Sequence, residues 1–128
     1  MSNAITGSMY QTLAMRTNDG QSSQRLRKAL DGANGVDFGG FMMACLGLSG
    51  EVGEFNDTMK KIIFHEAAFD EEHLKKELGD ICWYVAMMCE AFGWNLDDIM
   101  KMNIKKLRDR YPDGFDTYRA NHRKEGDV

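Results

Sequence analysis

The chain has 128 residues, 43% of them apolar and 28% charged, with a formal net charge of −4. That length suits a single domain with a modest core, and the apolar share excludes a disordered chain. The acidic balance disfavours nonspecific nucleic-acid binding as the main role, and no stretch reaches the ~18 apolar residues that a membrane span needs.

One proline, ten methionines and few β-branched residues favour helix over strand. From about Ile5 to Thr17 the spacing predicts a first short helix with Met9 and Leu13 inward. Asn18-Asp19-Gly20 reads as a turn. Ser22 or Ser23 can cap a second helical segment carrying Leu26, Ala29 and Leu30, which Asp31-Gly32-Ala33-Asn34-Gly35 ends. Asp37 is the expected N-cap of a long helix running to about Phe64. Its many glycines suggest a second chain or a ligand pressing on the backbone. Asp70 is the expected cap of the next helix, which runs to Phe92 and stops at Gly93. Glu71 and Glu72 lie in its first turn, where the helix dipole favours anions. Asn95 caps a last helix, Leu96 to Arg110, ended by Pro112 and Gly114. No run alternates convincingly enough for a strand. The expectation is an all-α, four- to five-helix bundle built on two long antiparallel helices. One domain covers 1–128, with N-terminal helical segments over 1–36, catalytic helices over 37–118 and a loose charged tail over 119–128.

The three cysteines, Cys45, Cys82 and Cys89, form no CxxC pair and fall on or beside apolar stripes. They read as buried, reduced thiols, which fits a cytoplasmic setting. The N-terminus carries no basic region followed by an apolar run, so no secretory signal is expected.

Chemistry concentrates in two acidic pairs, Glu51-Val-Gly-Glu54 and Glu77-Leu-Gly-Asp80. The i, i+3 spacing puts both carboxylates of a pair on one side of a helix. Beside the first pair runs a stripe of Phe41, Cys45, Leu48, Val52, Phe55, Met59 and Ile62. Beside the second runs Leu74, Leu78, Ile81, Val85, Cys89 and Phe92. Packing one stripe on the other brings four carboxylates to the rim of one seam. Like charges there repel by roughly 1 to 4 kcal/mol per pair at the effective dielectrics of a protein surface. A divalent cation with oxygen ligands, Mg²⁺ or Mn²⁺, would relieve that repulsion. The plain alternative is that Lys60, Lys61, Lys75 and Lys76 neutralise the acids as helix salt bridges.

Asn103, Lys106 and Arg110, at i, i+3 and i+7, share a face of the last helix. It lies well round from the stripe of Met100, Ile104, Leu107 and Tyr111. Beside a metal-binding carboxylate cluster, such a face describes a site for a polyphosphate ester. Trp83 lies outside its helix's stripe, where a base could stack or another helix could pack, and Tyr84 is read the same way. The three histidines have no spacing that suggests a metal site and read as surface or local hydrogen-bonding residues.

The segments GLSGEVGE, KKELGDICWY and NIKKLRDRYPDGF, in that order, resemble the MazG-type nucleotide pyrophosphohydrolases of the all-α NTP pyrophosphatase superfamily. The family pattern is ExxE, a spacer and ExxD; here the spacer is 22 residues, 55–76. The resemblance implies Mg²⁺-dependent hydrolysis of an NTP or dNTP to the monophosphate and pyrophosphate. It implies Glu51, Glu54, Glu77 and Asp80 as metal-holding catalytic carboxylates, with one glutamate of the first pair as the base. Lys61, Asn103, Lys106 and Arg110 would hold the phosphates. A homodimer or dimer of dimers is implied, with the nucleotide as ligand and no nucleic acid or membrane as partner. A base-specific dUTP, dCTP or phosphoribosyl-ATP pyrophosphatase of the same superfamily is the second reading. A noncatalytic helical interaction module is the third.

Overall fold

The computed structural model describes residues 4–123 and 126, and among these every regular element is helical. The chain forms two compact units, Met1–Gly35 and Val36–Val128.

In the first unit, α1 spans Gly7–Ala14, with the Thr6 hydroxyl accepting the Met9 N–H at 3.2 Å. The helix expected to Thr17 stops earlier, because its last three residues tighten into a 3-10 turn, Met15–Thr17. The predicted turn follows: Asn18 accepts the Gly20 N–H, and Gly20 has φ +68°, a left-handed conformation that glycine adopts freely. Helix α2 spans Ser22–Asp31. Neither serine caps it, since Ser22 is already helical. Asp19 instead accepts the Gln21 N–H at 3.0 Å and pairs with Arg25.

The second unit holds α3 (Phe38–Phe64), α4 (Glu71–Phe92), α5 (Leu96–Arg110) and α6 (Thr117–Asn121). The caps are the expected ones. Asp37 accepts the Gly40 N–H, Asp70 the His73 N–H and Asn95 the Asp97 N–H, at 2.8–2.9 Å. Each satisfies one amide that a helix start leaves without an intrahelical partner. Gly93 ends α4 in the left-handed region at φ +67°, and the Gly93 and Trp94 amides return to the Glu90 and Cys89 carbonyls. The short α6, capped by Asp116, occupies a stretch expected to be loose from 119 onward. The rest of that expected tail, 124–128 apart from Gly126, lies outside the described residues.

Helices α3 and α4 form an antiparallel hairpin. The Asp37 N–H bonds the Ala91 carbonyl at 2.9 Å, tying the start of α3 to the end of α4. The rings of Phe41 and Phe92 meet edge to face at 5.0 Å, and Phe92 stacks on Trp94 at 4.3 Å. Further along, Gly47 faces the Tyr84 ring so closely that a Cβ there would stand 2.1 Å from it. Glycine therefore lets the two helices approach at this point. Beyond it the seam reaches the acidic pairs.

The covered core is thin: Ala44, Leu74, Cys89 and Ala91 are its buried apolar residues. Val52 and Leu78, both expected on the inner stripe, are exposed, and so is Cys82, expected to be buried. Gly40 and Ala44 are buried on α3, and Gly47 gives the close approach to Tyr84 on α4. On α5, Met100, Ile104 and Leu107 are likewise exposed.

Candidate metal and nucleotide site

The hairpin register carries Glu51 on α3 to Glu77 and Asp80 on α4. One carboxylate oxygen from each lies within 4.8 Å of the others. Oxygens on opposite sides of a Mg²⁺ ion at about 2.1 Å lie roughly 4.2 Å apart, so a contraction of about half an ångström would close the trio on such an ion. The donor set is all carboxylate, which suits a hard cation. Glu77 is 8% exposed. A carboxylate that buried requires a compensating partner when ionised.

Glu51 is held above the usual carboxylate range. Loss of hydration is the first cause, followed by repulsion from Glu54, Asp80 and Glu77. Glu54 therefore acts on Glu51 electrostatically, but it is exposed and does not join the trio. Three of the four expected carboxylates converge, and the fourth stands one turn along α3.

Nearby lysines are engaged elsewhere. Lys60 and Lys61 both bind Asp57, which they pull down to about 2. Lys61 lies 2.7 Å from that carboxylate, and its own value is raised by the pairing. Lys75 binds Glu71 at 2.5 Å. These three lysines thus pair with acids other than Glu51, Glu77 and Asp80.

One polar neighbour of the trio is His73, which the sequence places among surface or local hydrogen-bonding residues without linking it to the acids. Its Nε2 lies 3.3 Å from Glu77 Oε1, one helical turn further along. The i, i+4 spacing of His73 and Glu77 was the available signal.

Trp83 is 56% exposed and meets Tyr84 edge to face at 5.0 Å. Tyr84 itself packs inward on Gly47, so packing explains it. Asn103 and Lys106 are exposed on α5, and Arg110, half-buried, lies 5.9 Å from the Tyr111 ring centroid. Lys106 and Arg110 line a cleft with α6. The carboxylate trio therefore forms within the α3–α4 hairpin without the α5 residues.

The MazG nucleotide pyrophosphohydrolase domain profile matches residues 42–115, more than half of the chain. This chain belongs to that family. The matched MazG region contains the whole α3–α4 seam from before Gly47, both acidic pairs and all of α5. The chain is also similar to the Gene 37 protein of Mycobacterium phage L5, 32% identical over 75 residues. That alignment covers 56% of this chain and 66% of the phage protein, so the chain spans just under two thirds of the relative's length. No solved structure matches. No helix of the described residues is long and apolar enough to cross a membrane.

Proposed function

We propose that this MazG-family chain is a metal-dependent nucleoside triphosphate pyrophosphohydrolase, converting an NTP or dNTP to the monophosphate and pyrophosphate. The observation that carries the reading is the convergence of Glu51, Glu77 and Asp80 while Lys60, Lys61 and Lys75 pair with other acids. Nothing about helix stability requires three carboxylates to meet, and their repulsion opposes it.

Glu51, Glu77 and Asp80 would hold Mg²⁺, with Mn²⁺ as the close substitute. When bound, such an ion polarises phosphoryl oxygens and lowers the pKa of a water. The chain's own groups divide the remaining work. Glu77, nearly buried, fixes the inner wall of the site. Glu54, outside the trio, is the carboxylate whose oxygen takes the proton from the attacking water. Asn103, Lys106 and Arg110 supply donors to phosphate oxygens and offset charge on the departing pyrophosphate. Lys61 joins them only by leaving Asp57. Trp83 offers an exposed aromatic face to a base.

The exposed apolar residues of α3, α4 and α5 support a homodimer or dimer of dimers, since Leu46, Leu78 and Met100 are each more than half exposed. Calorimetric titration with Mn²⁺ tests the metal site directly. Wild type is expected to bind, and Glu77→Gln to bind at least tenfold more weakly with its helix content retained. Equal binding by the two would remove the trio from the account.

A further inference from the structure

The first turn of α4 sets a histidine against the carboxylate trio. Asp70 accepts the His73 N–H at 2.9 Å, so the cap of the helix fixes the backbone that carries the ring. Nε2 of that ring lies 3.3 Å from Glu77 Oε1. The two ends of the contact differ in exposure: the His73 side chain is half exposed, whereas Glu77 is buried. His73 stands outside the donor set itself. Oxygens of Glu51, Glu77 and Asp80 lie within 4.8 Å of one another, and among the described residues no ring nitrogen joins that group. Lys60, Lys61 and Lys75 meanwhile pair with Asp57 and Glu71. The ring thus touches one acid of the trio from beside it, where an orienting group belongs and a ligand does not.

We propose that His73 is a positioning residue of the cation site: Nε2–H holds Glu77 Oε1 and keeps the carboxylate turned towards Glu51 and Asp80. The inference rests on the trio being the cation site. An ionised carboxylate has two oxygens and about four lone-pair sites, so a donor on one oxygen leaves room for a cation. Nε2 carries a proton in the imidazolium and in one neutral tautomer, and either form can donate. A glutamate side chain loses rotamer freedom when it takes up an ion, and a donor that already holds it removes part of that loss. Carboxylates that hold metals are commonly hydrogen-bonded in turn, and loss of such a partner lowers metal affinity about 10- to 100-fold.

The test is calorimetric titration of Mn²⁺ into the full metal-free chain, at one fixed pH, for wild type, His73→Phe and His73→Gln. Phenylalanine keeps a ring and removes the donor. Glutamine removes the ring and keeps an N–H at similar reach. Wild type is expected to bind, His73→Phe to bind about 10- to 100-fold more weakly, and His73→Gln to recover most of the loss. Circular dichroism and melting temperature are expected to stay close to wild type in both variants, because the side chain is half exposed. A packing role would give the reverse order, with phenylalanine tolerated and glutamine not. His73→Phe binding as tightly as wild type overturns the proposal. Tighter binding overturns it too, since the ring would then compete with the ion for Glu77. A glutamine variant as weak as the phenylalanine one also overturns it, because the donor would not be what matters. Glu77→Gln, titrated alongside, separates the two failures. If it binds as wild type does, the trio falls and the role of His73 with it; if it loses binding while His73→Phe does not, only the role of His73 falls.

Discussion

Gly47→Ala tests how the hairpin is held. The added Cβ would lie 2.1 Å from the Tyr84 ring, far inside van der Waals contact. The Tyr84 ring also meets Trp83 edge to face at 5.0 Å. Overpacking of this kind costs about 1–3 kcal/mol. Against it stands the gain from replacing glycine in a helix interior, roughly 0.5–1 kcal/mol. The overpacking term is the larger, so a net destabilisation of about 1 kcal/mol is expected. Gly79→Ala is the control: a Cβ there meets nothing within 4 Å, so only the helix gain remains. The two variants should therefore differ by about 1–3 kcal/mol, or roughly 3–15 °C in melting temperature for a chain of this size. Urea and thermal unfolding followed by far-UV circular dichroism measure both. In a Tyr84→Ala background, Gly47→Ala should turn neutral or stabilising, which isolates the contact as the cause. A Gly47→Ala variant as stable as Gly79→Ala would refute the close approach of α3 and α4 at this point.

Other outcomes follow from the charges. Glu51→Gln should stabilise the metal-free chain, because it removes a carboxylate that its neighbours disfavour as an anion. The sign with pH agrees. A raised folded value means the folded chain holds more proton just above pH 4.5, so stability contributed by this group declines as pH rises through that window. Comparing stability between pH 4 and 7 in wild type and Glu51→Gln should show that slope vanish in the variant. Asp57 behaves oppositely: its value is lowered to about 2, so its contribution is present above about 3.8 and lost as pH falls towards 2. An NMR titration should find the Asp57 midpoint near 2 and move it up in Lys60→Ala; a midpoint at the ordinary value in wild type would contradict the pairing.

Much of the second unit was legible in the sequence because its signals are local. Asp37, Asp70 and Asn95 mark helix starts by their own side-chain acceptors, and Gly93 marks an end by its left-handed conformation. The acidic pairs were legible as candidates because i, i+3 spacing needs only a helix. What the sequence left open depends on rotation about the hairpin seam. That rotation leaves Val52 and Leu78 exposed and Glu54 apart from the trio. Residue spacing along one helix carries no information about the partner's distance. The i, i+4 spacing of His73 and Glu77 was legible, and the ring stands 3.3 Å from that carboxylate. The short α6 escaped because five residues with one cap give too little periodicity to read.

The central claim is that Glu51, Glu77 and Asp80 hold the metal for release of pyrophosphate from a nucleoside triphosphate. Its most direct test is pyrophosphate release from a panel of NTPs and dNTPs with Mg²⁺, by wild type and by Glu77→Gln. Wild type should release pyrophosphate and the monophosphate in equal amounts from at least one nucleotide and stop when EDTA is added, and Glu77→Gln should lose at least a hundredfold in rate. Release of orthophosphate instead of pyrophosphate, or a Glu77→Gln variant as fast as wild type, would contradict the account.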